Sequence, residues 1–344
     1  MKEFLHRKGI KPSFKLYFIE ALSFMALGLF SSLIIGLIIR TLGQELGRVD
    51  WLSPYIAFLE PIGSTAMGLM GPAIGVAVAY GLKAPRLVLF AAAVTGAAGA
   101  ELGGPAGAFL CALISTELGK VVSQETKIDI IVTPFVTILT GVGTAMIIGP
   151  TIADALASFG DFIEWSTTQQ PFIMGILLAV FMGLALTAPI SSAAIALVLG
   201  LDGIAAGAAT VGCASQMVGF AVSSYRENGW SGLVSMGIGT SMLQIGNIVK
   251  NPLILIPPTL TAAILGPITT MVFQMENNAA GAGMGTSGLV GPIMTINTMG
   301  SSTEVLLGIL LLYFLAPAIL SLIFSELLRK TNAIKFGDMK IEQS

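Results

Sequence analysis

Three carboxylates stand inside or beside long apolar stretches of the sequence, where charged side chains are rare. They are Glu60, Glu101 and Glu276, and no Lys or Arg in the same stretches offers them a partner. An unpaired carboxylate in hydrocarbon is costly, so each must be protonated, hydrogen-bonded, ion-bound or in contact with water. We expect Glu60 to be solvated at the headgroup level. The other two are predicted to accept solute hydroxyls or to carry a coupling proton or cation.

Glu101 and Glu276 each open a glycine-rich interruption of the apolar pattern, over residues 101–107 and 276–288. Glycine lets backbone N–H groups face a ligand, and the N-terminus of a half-helix carries a positive dipole end. Asn, Thr and Ser side chains add hydrogen-bond donors and acceptors, which suit a polyhydroxylated or anionic solute. Close helix packing is the alternative use of such glycines. The predicted substrate-binding residues are Glu101, Glu276, Asn277, Asn278, Gly283, Gly285, Thr286 and Ser287, with the two glycines giving backbone access.

The composition shows what kind of element must position these residues. Of the 344 residues, 54% are apolar and 10% are charged, and the mean hydropathy is +0.88. Soluble domains average roughly 25% charged residues, so a soluble enzyme and a disordered chain are excluded. The net charge of −2 indicates no nucleic-acid partner. At about 20 residues per crossing, the sequence predicts one all-α polytopic membrane domain over residues 1–344, with about eight to ten transmembrane helices in a lipid bilayer.

Lys and Arg collect in the cytoplasmic loops of membrane proteins, and both ends of this chain are rich in them. Both termini are therefore predicted to be cytoplasmic. Residues 16–39 then cross outward and residues 54–80 cross back. Two short apolar pieces, 87–100 and 105–119, follow, and basic residues bound the pair on both sides. We expect them to form a re-entrant hairpin, although two tilted crossings fit the same charge pattern.

The second half of the chain is predicted to alternate crossings with broken elements. An outward crossing over 128–149 ends at Pro150, and an external amphipathic segment follows it. The next apolar stretch, 172–199, is interrupted at 187–192 and is predicted to reach a cytoplasmic turn at 200–203. The remaining predicted elements are a helical pair over 204–249, a crossing over 253–275, a re-entrant element over 276–300 and a last crossing over 304–328.

An internal repeat is visible in this pattern. Residues 127–134 and 250–257 share the same spacing between a Lys and a Pro, and each leads into a long apolar run. The predicted repeat units are about 54–150 and 171–275, running in the same direction. Transporters are commonly built from such repeats, with a binding site near the midplane. Entered from opposite sides, the two glycine-rich interruptions are predicted to bring their carboxylates to one cavity.

Other kinds of chemistry are not indicated. Cys111 and Cys213 lack the spacing of a metal site, and the single histidine, His6, lies in the N-terminal tail. No nucleophile–base pair suggests a membrane enzyme, so neither catalysis nor a metal or other cofactor is expected. Gln216 and Gln244 are polar groups in apolar stretches that either face a pathway or bridge helices.

At the two glycine-rich interruptions the sequence resembles a known family. Residues 101–107 (ELGGPAG) and 277–292 (NNAAGAGMGTSGLVGP) are similar to segments of the EIIC-like membrane proteins of the phosphotransferase system, most closely the group named after a regulator of perfringolysin production. The resemblance implies a homodimeric sugar permease of the bacterial inner membrane. It also implies a separate IIB component, from which the sugar is phosphorylated as it is released inward.

The first functional hypothesis is therefore an EIIC-type permease for a sugar or related polar solute. The second is a secondary transporter coupled to protons or sodium, with Glu101 and Glu276 as ion sites. The third belongs to a different class, a membrane sensor that controls gene expression. Solute uptake distinguishes the sensor from both transporters, and its dependence on an ion gradient or on phosphorylated IIB distinguishes the two transporters from each other.

Overall fold

The computed structural model describes residues 2–48 and 51–341, and these fold into helices without a β-sheet. Two compact units divide the chain. Unit 1 ends at Leu156 and unit 2 begins at Ala157, so the boundary falls inside the helix Asp129–Thr167. The predicted all-α class is confirmed.

Six helices in the described part of the chain are long and apolar enough to cross a membrane. A seventh span is formed if Ser53–Gly68 and Met70–Gly81, which meet at a bend of 50°, are counted together. A polytopic membrane protein is thereby confirmed, but the count is below the predicted eight to ten, because several predicted crossings are divided into shorter helices. The six candidates by length and composition are Leu16–Leu46, Arg86–Val122, Asp129–Thr167, Gly203–Ser223, Pro252–Phe273 and Thr303–Lys330, of which Arg86–Val122 is bent at Gly103 and Gly104.

In unit 1, the helix Arg86–Val122 is folded back on itself, and we call it the long hairpin. Helical geometry is lost at Gly103 and at Gly104, whose φ is +57°. Ser115 donates a hydrogen bond of 3.0 Å to Thr95, although 20 residues of straight helix would separate them by about 30 Å. The predicted interruption over residues 101–107 is therefore a tight turn between two antiparallel arms.

The arms of the long hairpin pack through glycine. A Cβ atom added at Gly99 would lie 2.3 Å from the carbonyl oxygen of Gly107, so the two backbones are in direct contact. Each arm has about 17 residues, or roughly 25 Å of helix, against a hydrocarbon core of about 30 Å. The hairpin is thus long enough to reach most of the way through a bilayer.

The helix after the long hairpin is longer than predicted. It begins at Asp129, continues through Pro150 and ends at Thr167, so the predicted stop at Pro150 is wrong, and the segment predicted to be external continues the same helix. A proline removes only one N–H donor, and membrane helices tolerate it where neighbouring groups satisfy the freed carbonyl.

Unit 2 is built around the helix Gly203–Ser223, which is buried on nearly every side. Its glycines let neighbouring helices come into backbone contact, as small residues do in membrane bundles. A Cβ atom at Gly212 would lie 1.9 Å from the carbonyl oxygen of Ala179, and one at Gly219 would lie 2.9 Å from Pro258. The helix Pro171–Thr187 therefore runs parallel to the central helix, and Pro252–Phe273 runs antiparallel to it.

All the Lys and Arg residues of unit 2 lie at one end of it, which we call the basic end. Arg329 pairs with Glu227 at 2.9 Å there, and the side chains of Asn228 and Asn247 both bind the same C-terminal segment. These basic residues are Arg226, Lys250, Arg329, Lys330, Lys335 and Lys340. The charge separation that the sequence predicted is present within this unit.

The turn before the central helix lies at the end opposite the basic end. The backbone N–H of Asn277 donates to the carbonyl of Gly203 at 3.1 Å, and Gly207 contacts the Met275 carbonyl. The predicted map put 200–203 on the same side as Lys250 and residue 276 on the other side. That grouping is wrong, because Gly203 lies beside Asn277 at the end opposite Lys250. The chain reverses at residues 187–192 and returns through the short helix Ser192–Val198, so 172–199 is not one crossing.

Candidate functional site

Three interrupted segments of unit 2 meet beside the central helix. The first is the break at residues 187–192. The second is a hairpin over residues 225–250, which we call the short hairpin; its tip at residues 235–244 is a π-helical turn followed by a 3₁₀ turn. The third is residues 276–291, the glycine-rich segment, which holds only single helical turns before Val290.

Side-chain hydroxyls join the three segments to one another. Thr187 and Ser241 share a hydrogen bond of 2.7 Å between their hydroxyl oxygens, which links the break to the short hairpin. Ser192 donates to the Gly283 carbonyl at 2.7 Å, which links the break to the glycine-rich segment. Backbone that leaves a helix at membrane depth needs such internal partners, because lipid offers none.

The glycine-rich segment is tied to the short hairpin by two further bonds. Thr286 Oγ1 donates to the Gly237 carbonyl at 2.6 Å, and Ser287 Oγ donates to the Gly239 carbonyl at 2.8 Å. Both hydroxyl side chains are buried. Thr286 and Ser287 were predicted to face solute, and the structure gives both hydroxyls a partner inside the protein.

The segments reach this meeting point from opposite ends of unit 2. The break and the glycine-rich segment enter from the end that carries Gly203, and the short hairpin enters from the basic end. They meet at mid-helix, where the Cys213 thiol lies 3.5 Å from the Ala282 carbonyl. Gln216 extends the polar contacts: its amide donates to Thr259 at 2.9 Å. Gln216 therefore bridges helices, one of the two roles predicted for it.

Asn277 uses its whole side chain to hold the glycine-rich segment in place. Its Nδ2 donates to Thr210, to Thr295 and to the Gly291 carbonyl, at 2.9–3.1 Å. Its Oδ1 accepts from the backbone N–H of Asn278 at 2.8 Å, and the residue is completely buried. Both N–H donors of this amide are used inside the protein, and its complete burial keeps the oxygen from a ligand.

The two glycines predicted to give backbone access are covered by protein backbone. A Cβ atom at Gly283 would lie 2.5 Å from Ala193, and one at Gly285 would lie 2.6 Å from the Ala214 nitrogen. Gly285 also has a φ of +53°, and its carbonyl accepts a hydrogen bond from Gly291. Glycine is needed at both positions so that the segment can lie against the central helix.

Two of the predicted residues in this segment remain open. Glu276 is exposed, and its carboxylate makes no hydrogen bond or ion pair with any described residue. Asn278 is half-buried; its Oδ1 caps the following turn at Gly281, and its Nδ2 lies 3.6 Å from the Met294 sulfur. Among the predicted site residues of this segment, these two side chains are the ones that are not buried.

In unit 1, Glu101 is exposed at the turn of the long hairpin, and it too lacks a partner among the described residues. Its convergence with Glu276 stays a prediction. Glu60 differs, because Gln44 donates to it at 2.8 Å and Arg40 lies 3.9 Å away. The basic partner of Glu60 lies on another helix, so the sequence of the apolar stretch that contains Glu60 does not reveal it.

Comparison with known proteins identifies the chain. The family model described as Phosphotransferase system, EIIC matches residues 19–341. The chain belongs to this family. No curated protein and no solved structure matches it. EIIC is the membrane permease component of a sugar phosphotransferase system, works with IIB components and is not the main catalytic unit.

This EIIC chain also has a cavity of about 390 Å³ beside the glycine-rich segment. That volume is within the range of small-molecule pockets. Its lining is apolar apart from Glu304, so it offers a sugar few hydrogen bonds. The other lining residues are Val272, Phe273, Met275, Met299, Val305, Leu307 and Leu311.

Sequence reasoning missed the tip of the short hairpin of this EIIC protein. The sequence predicts regular helix for residues 231–249. In the structure, Gly237, Gly239 and Ser241 form the hydrogen bonds that the short hairpin makes at the junction. The signal was present in the run Gly237-Ile238-Gly239-Thr240-Ser241, where two glycines precede two hydroxyl residues. Thr187 and Ser192, in contrast, lie in a break that the sequence did indicate.

Proposed function

We propose that this EIIC permease binds a sugar or closely related polar solute along the glycine-rich segment of unit 2, between the junction of the three interrupted segments at mid-helix and the open end of the segment near Gly203, where Glu276 and Asn278 are direct contacts. The observation that supports the proposal is the hydrogen-bonded junction of segments that enter unit 2 from opposite ends. Broken helices at membrane depth are where transporters bind their solutes. Glu101, at the turn of the long hairpin, is a second proposed solute-binding carboxylate.

The remaining predicted residues act as the scaffold of this site. Asn277, Thr286 and Ser287 hold the glycine-rich segment, and Gly283 and Gly285 let it approach the central helix. A solute group placed beside Glu276 would then meet a carboxylate whose acceptors are free. A carboxylate accepting sugar hydroxyls forms charge-assisted hydrogen bonds, which are stronger than neutral ones.

The test is direct binding by the purified, folded protein. Glucose, galactose, fructose and mannitol are titrated calorimetrically against the unmodified protein, Glu276→Gln and Glu164→Gln. We expect Glu276→Gln to weaken binding at least tenfold, since one charge-assisted hydrogen bond contributes about 1.5–3 kcal/mol. Glu164→Gln, which changes an exposed carboxylate of the same unit away from the glycine-rich segment, is the matched control. Unchanged affinity in a folded Glu276→Gln protein removes Glu276 from the site.

Phosphotransfer coupling is the proposed mode of transport, and proton or sodium coupling is the second candidate. The exposed, unpaired carboxylates Glu101 and Glu276 are the observation that favours ion coupling. Proteoliposomes given radiolabelled sugar on the outside distinguish the two modes. Uptake that requires phosphorylated IIB supports phosphotransfer, whereas uptake driven by an imposed ion gradient without IIB supports the second mode.

We further propose that the protein is a homodimer of the bacterial inner membrane, with the basic end of unit 2 in the cytoplasm. The positive charge of that end supports the orientation. Both native cysteines are buried, so a cysteine at position 335 is a clean reporter. We expect an impermeant maleimide to label Lys335→Cys in inverted vesicles and not in intact cells. The opposite result reverses the orientation.

A further inference from the structure

The C-terminal segment of the chain folds back onto the basic end of unit 2. Past the helix that ends at Lys330, residues 331–341 form turns in place of a helix. Three apolar side chains of this segment are buried: Ile334, Met339 and Ile341. Phe336, Lys335 and Lys340 point outward. We call residues 331–341 the strap.

Side-chain amides of the short hairpin hold the strap by its backbone. Asn228 donates to the Met339 carbonyl at 2.8 Å and accepts from the Ile341 N–H at 2.9 Å. Gln244 donates to the same Met339 carbonyl at 2.8 Å. Asn247 donates to the Lys340 carbonyl at 2.9 Å. These contacts also show that Gln244, whose role the sequence left open, bridges elements.

The start and the middle of the strap are anchored as well. Asn251, at the start of the next helix, donates to the Ala333 carbonyl at 3.0 Å and to the Asp338 carboxylate at 2.8 Å. Glu227 accepts two hydrogen bonds from Arg329 and one from the Gly337 N–H. Glu227 is fully buried as a side chain, and Arg329 is 11% exposed. Loss of either partner would leave a charge buried without compensation.

The amide contacts bind both arms of the short hairpin at once. Asn228 lies on its first arm and Asn247 on its second, and Gln244 is the last residue of the tip. The tip between them carries Ser241, which is bonded to Thr187 at the solute-site junction. The strap therefore fastens the one element that enters this junction from the basic end.

We propose that the strap is a latch that keeps the site closed toward the basic end, and that its release frees the short hairpin to open it. This inference rests on the proposed function, because it takes the junction to be part of a solute-binding site. The structural argument for the latch is separate. An irregular hairpin with short arms takes its position from contacts with other segments, and the strap supplies those contacts at the base of the hairpin. Local opening free energies are lowest where few such contacts hold an element.

The first measurement is strap release. Trypsin cuts after Lys335 and Lys340 once the strap leaves its groove, so the cleavage rate in the full-length protein reports the open population. We expect Asn228→Ala combined with Asn247→Ala to accelerate cleavage by roughly tenfold or more, since three hydrogen bonds to the strap are lost. Leu253→Ala, an exposed apolar position at the same end, is the matched control, because it leaves every strap contact and both trypsin sites intact. An unchanged rate in the double variant overturns the proposal.

The second measurement asks whether release opens the site. In a Cys111→Ala background, Cys213 is the remaining cysteine, and it is buried at the junction. We expect N-ethylmaleimide to label Cys213 at least several-fold faster in the double variant than in the control. A chain truncated after Asn332 removes the strap without changing the hairpin and should show the same increase. Fast cleavage with unchanged Cys213 labelling overturns the latch. No sugar is used, so failure of the sugar-binding proposal does not affect the result.

Discussion

The long hairpin of unit 1 and the short hairpin of unit 2 share one plan but are stabilised differently. Each begins and ends next to basic residues, and each is followed by a long apolar helix, Asp129–Thr167 or Pro252–Phe273. The arms of the long hairpin are regular helices in backbone contact with each other. The tip of the short hairpin is irregular, and its hydrogen bonds go to other segments of unit 2.

The difference indicates which hairpin can move. A hairpin that is closed by its own glycine contacts keeps its shape wherever it lies, because its stabilising contacts are internal. A hairpin held by Thr187, by the glycine-rich segment and by the strap changes position when those partners do. We infer that the long hairpin is a rigid element and that the short hairpin is the conformationally responsive one.

The largest expected effect tests the self-packing of the long hairpin. Gly99→Ala places a Cβ atom 2.3 Å from the Gly107 carbonyl oxygen, and backbone on both sides leaves no side chain to move aside. We expect a loss of about 3 kcal/mol in the free energy of unfolding. Chemical denaturation in detergent measures it. Gly143→Ala in the same unit meets no atom within 4 Å and should be neutral or slightly stabilising. Equal behaviour of the two variants would contradict backbone contact between the arms.

The next effect tests the external attachment of the short hairpin. Thr286→Val together with Ser287→Ala removes the bonds to Gly237 and Gly239, which should cost about 2 kcal/mol and weaken sugar binding. Hydrogen exchange should accelerate over residues 225–250. Thr298→Val changes an exposed threonine of the following helix. It should not measurably change the stability, the sugar binding or the hydrogen exchange of the short hairpin. Exchange confined to the site of mutation would show that the tip contacts do not hold the hairpin.

A smaller effect is expected for the corresponding change in the long hairpin. Thr95→Val removes the acceptor of the 3.0 Å bond from Ser115, with little change in volume. We expect a loss of about 1 kcal/mol, and no faster exchange over residues 86–122, because the Gly99–Gly107 contact remains. A shift in exchange as large as that of the Thr286 and Ser287 variant would remove the distinction between the two hairpins.

The sequence was sufficient to predict the class of fold and three of the places where helices break, at residues 101–107, 187–192 and 276–288. Low charge and long apolar runs predict an all-α membrane protein. Glycine-rich runs that begin with a carboxylate predict the interruptions at residues 101–107 and 276–288. Both properties are local, so a single sequence contains them. The helix end predicted at Pro150 was wrong, because a proline ends a helix in water more readily than in a bundle of membrane helices.

Direction and partnership were less predictable. The reversal at residues 187–192 depends on Ser192 reaching Gly283, a contact between residues far apart in the chain. Asn277 has the composition of a ligand-binding residue, but Thr210, Thr295 and Gly291 satisfy it inside the fold. A polar side chain in an apolar stretch has the same appearance in sequence whether it binds solute or protein. Tertiary contacts alone separate the two uses.

The smallest expected effect concerns the base of the long hairpin. Glu125 follows its second arm and binds Lys8 at 2.5 Å and Arg7 at 3.2 Å. The hydrogen bond from Lys8, reinforced by both positive charges, holds the pKa of Glu125 below its ordinary value of 4.5. A lowered carboxyl pKa stabilises the folded state above the unfolded pKa, and that stabilisation is lost as the pH falls below 4.5 through the folded value. Melting temperatures of the unmodified protein and Glu125→Gln should therefore differ slightly at pH 7 and converge at pH 3.

Glu45→Gln, which alters an exposed pair with Arg48 elsewhere in unit 1, controls for general charge effects. Because the long hairpin is closed by its own arms, neither variant should change exchange within residues 86–122 at pH 7; faster exchange there in Glu125→Gln would mean that this hairpin, too, depends on external contacts.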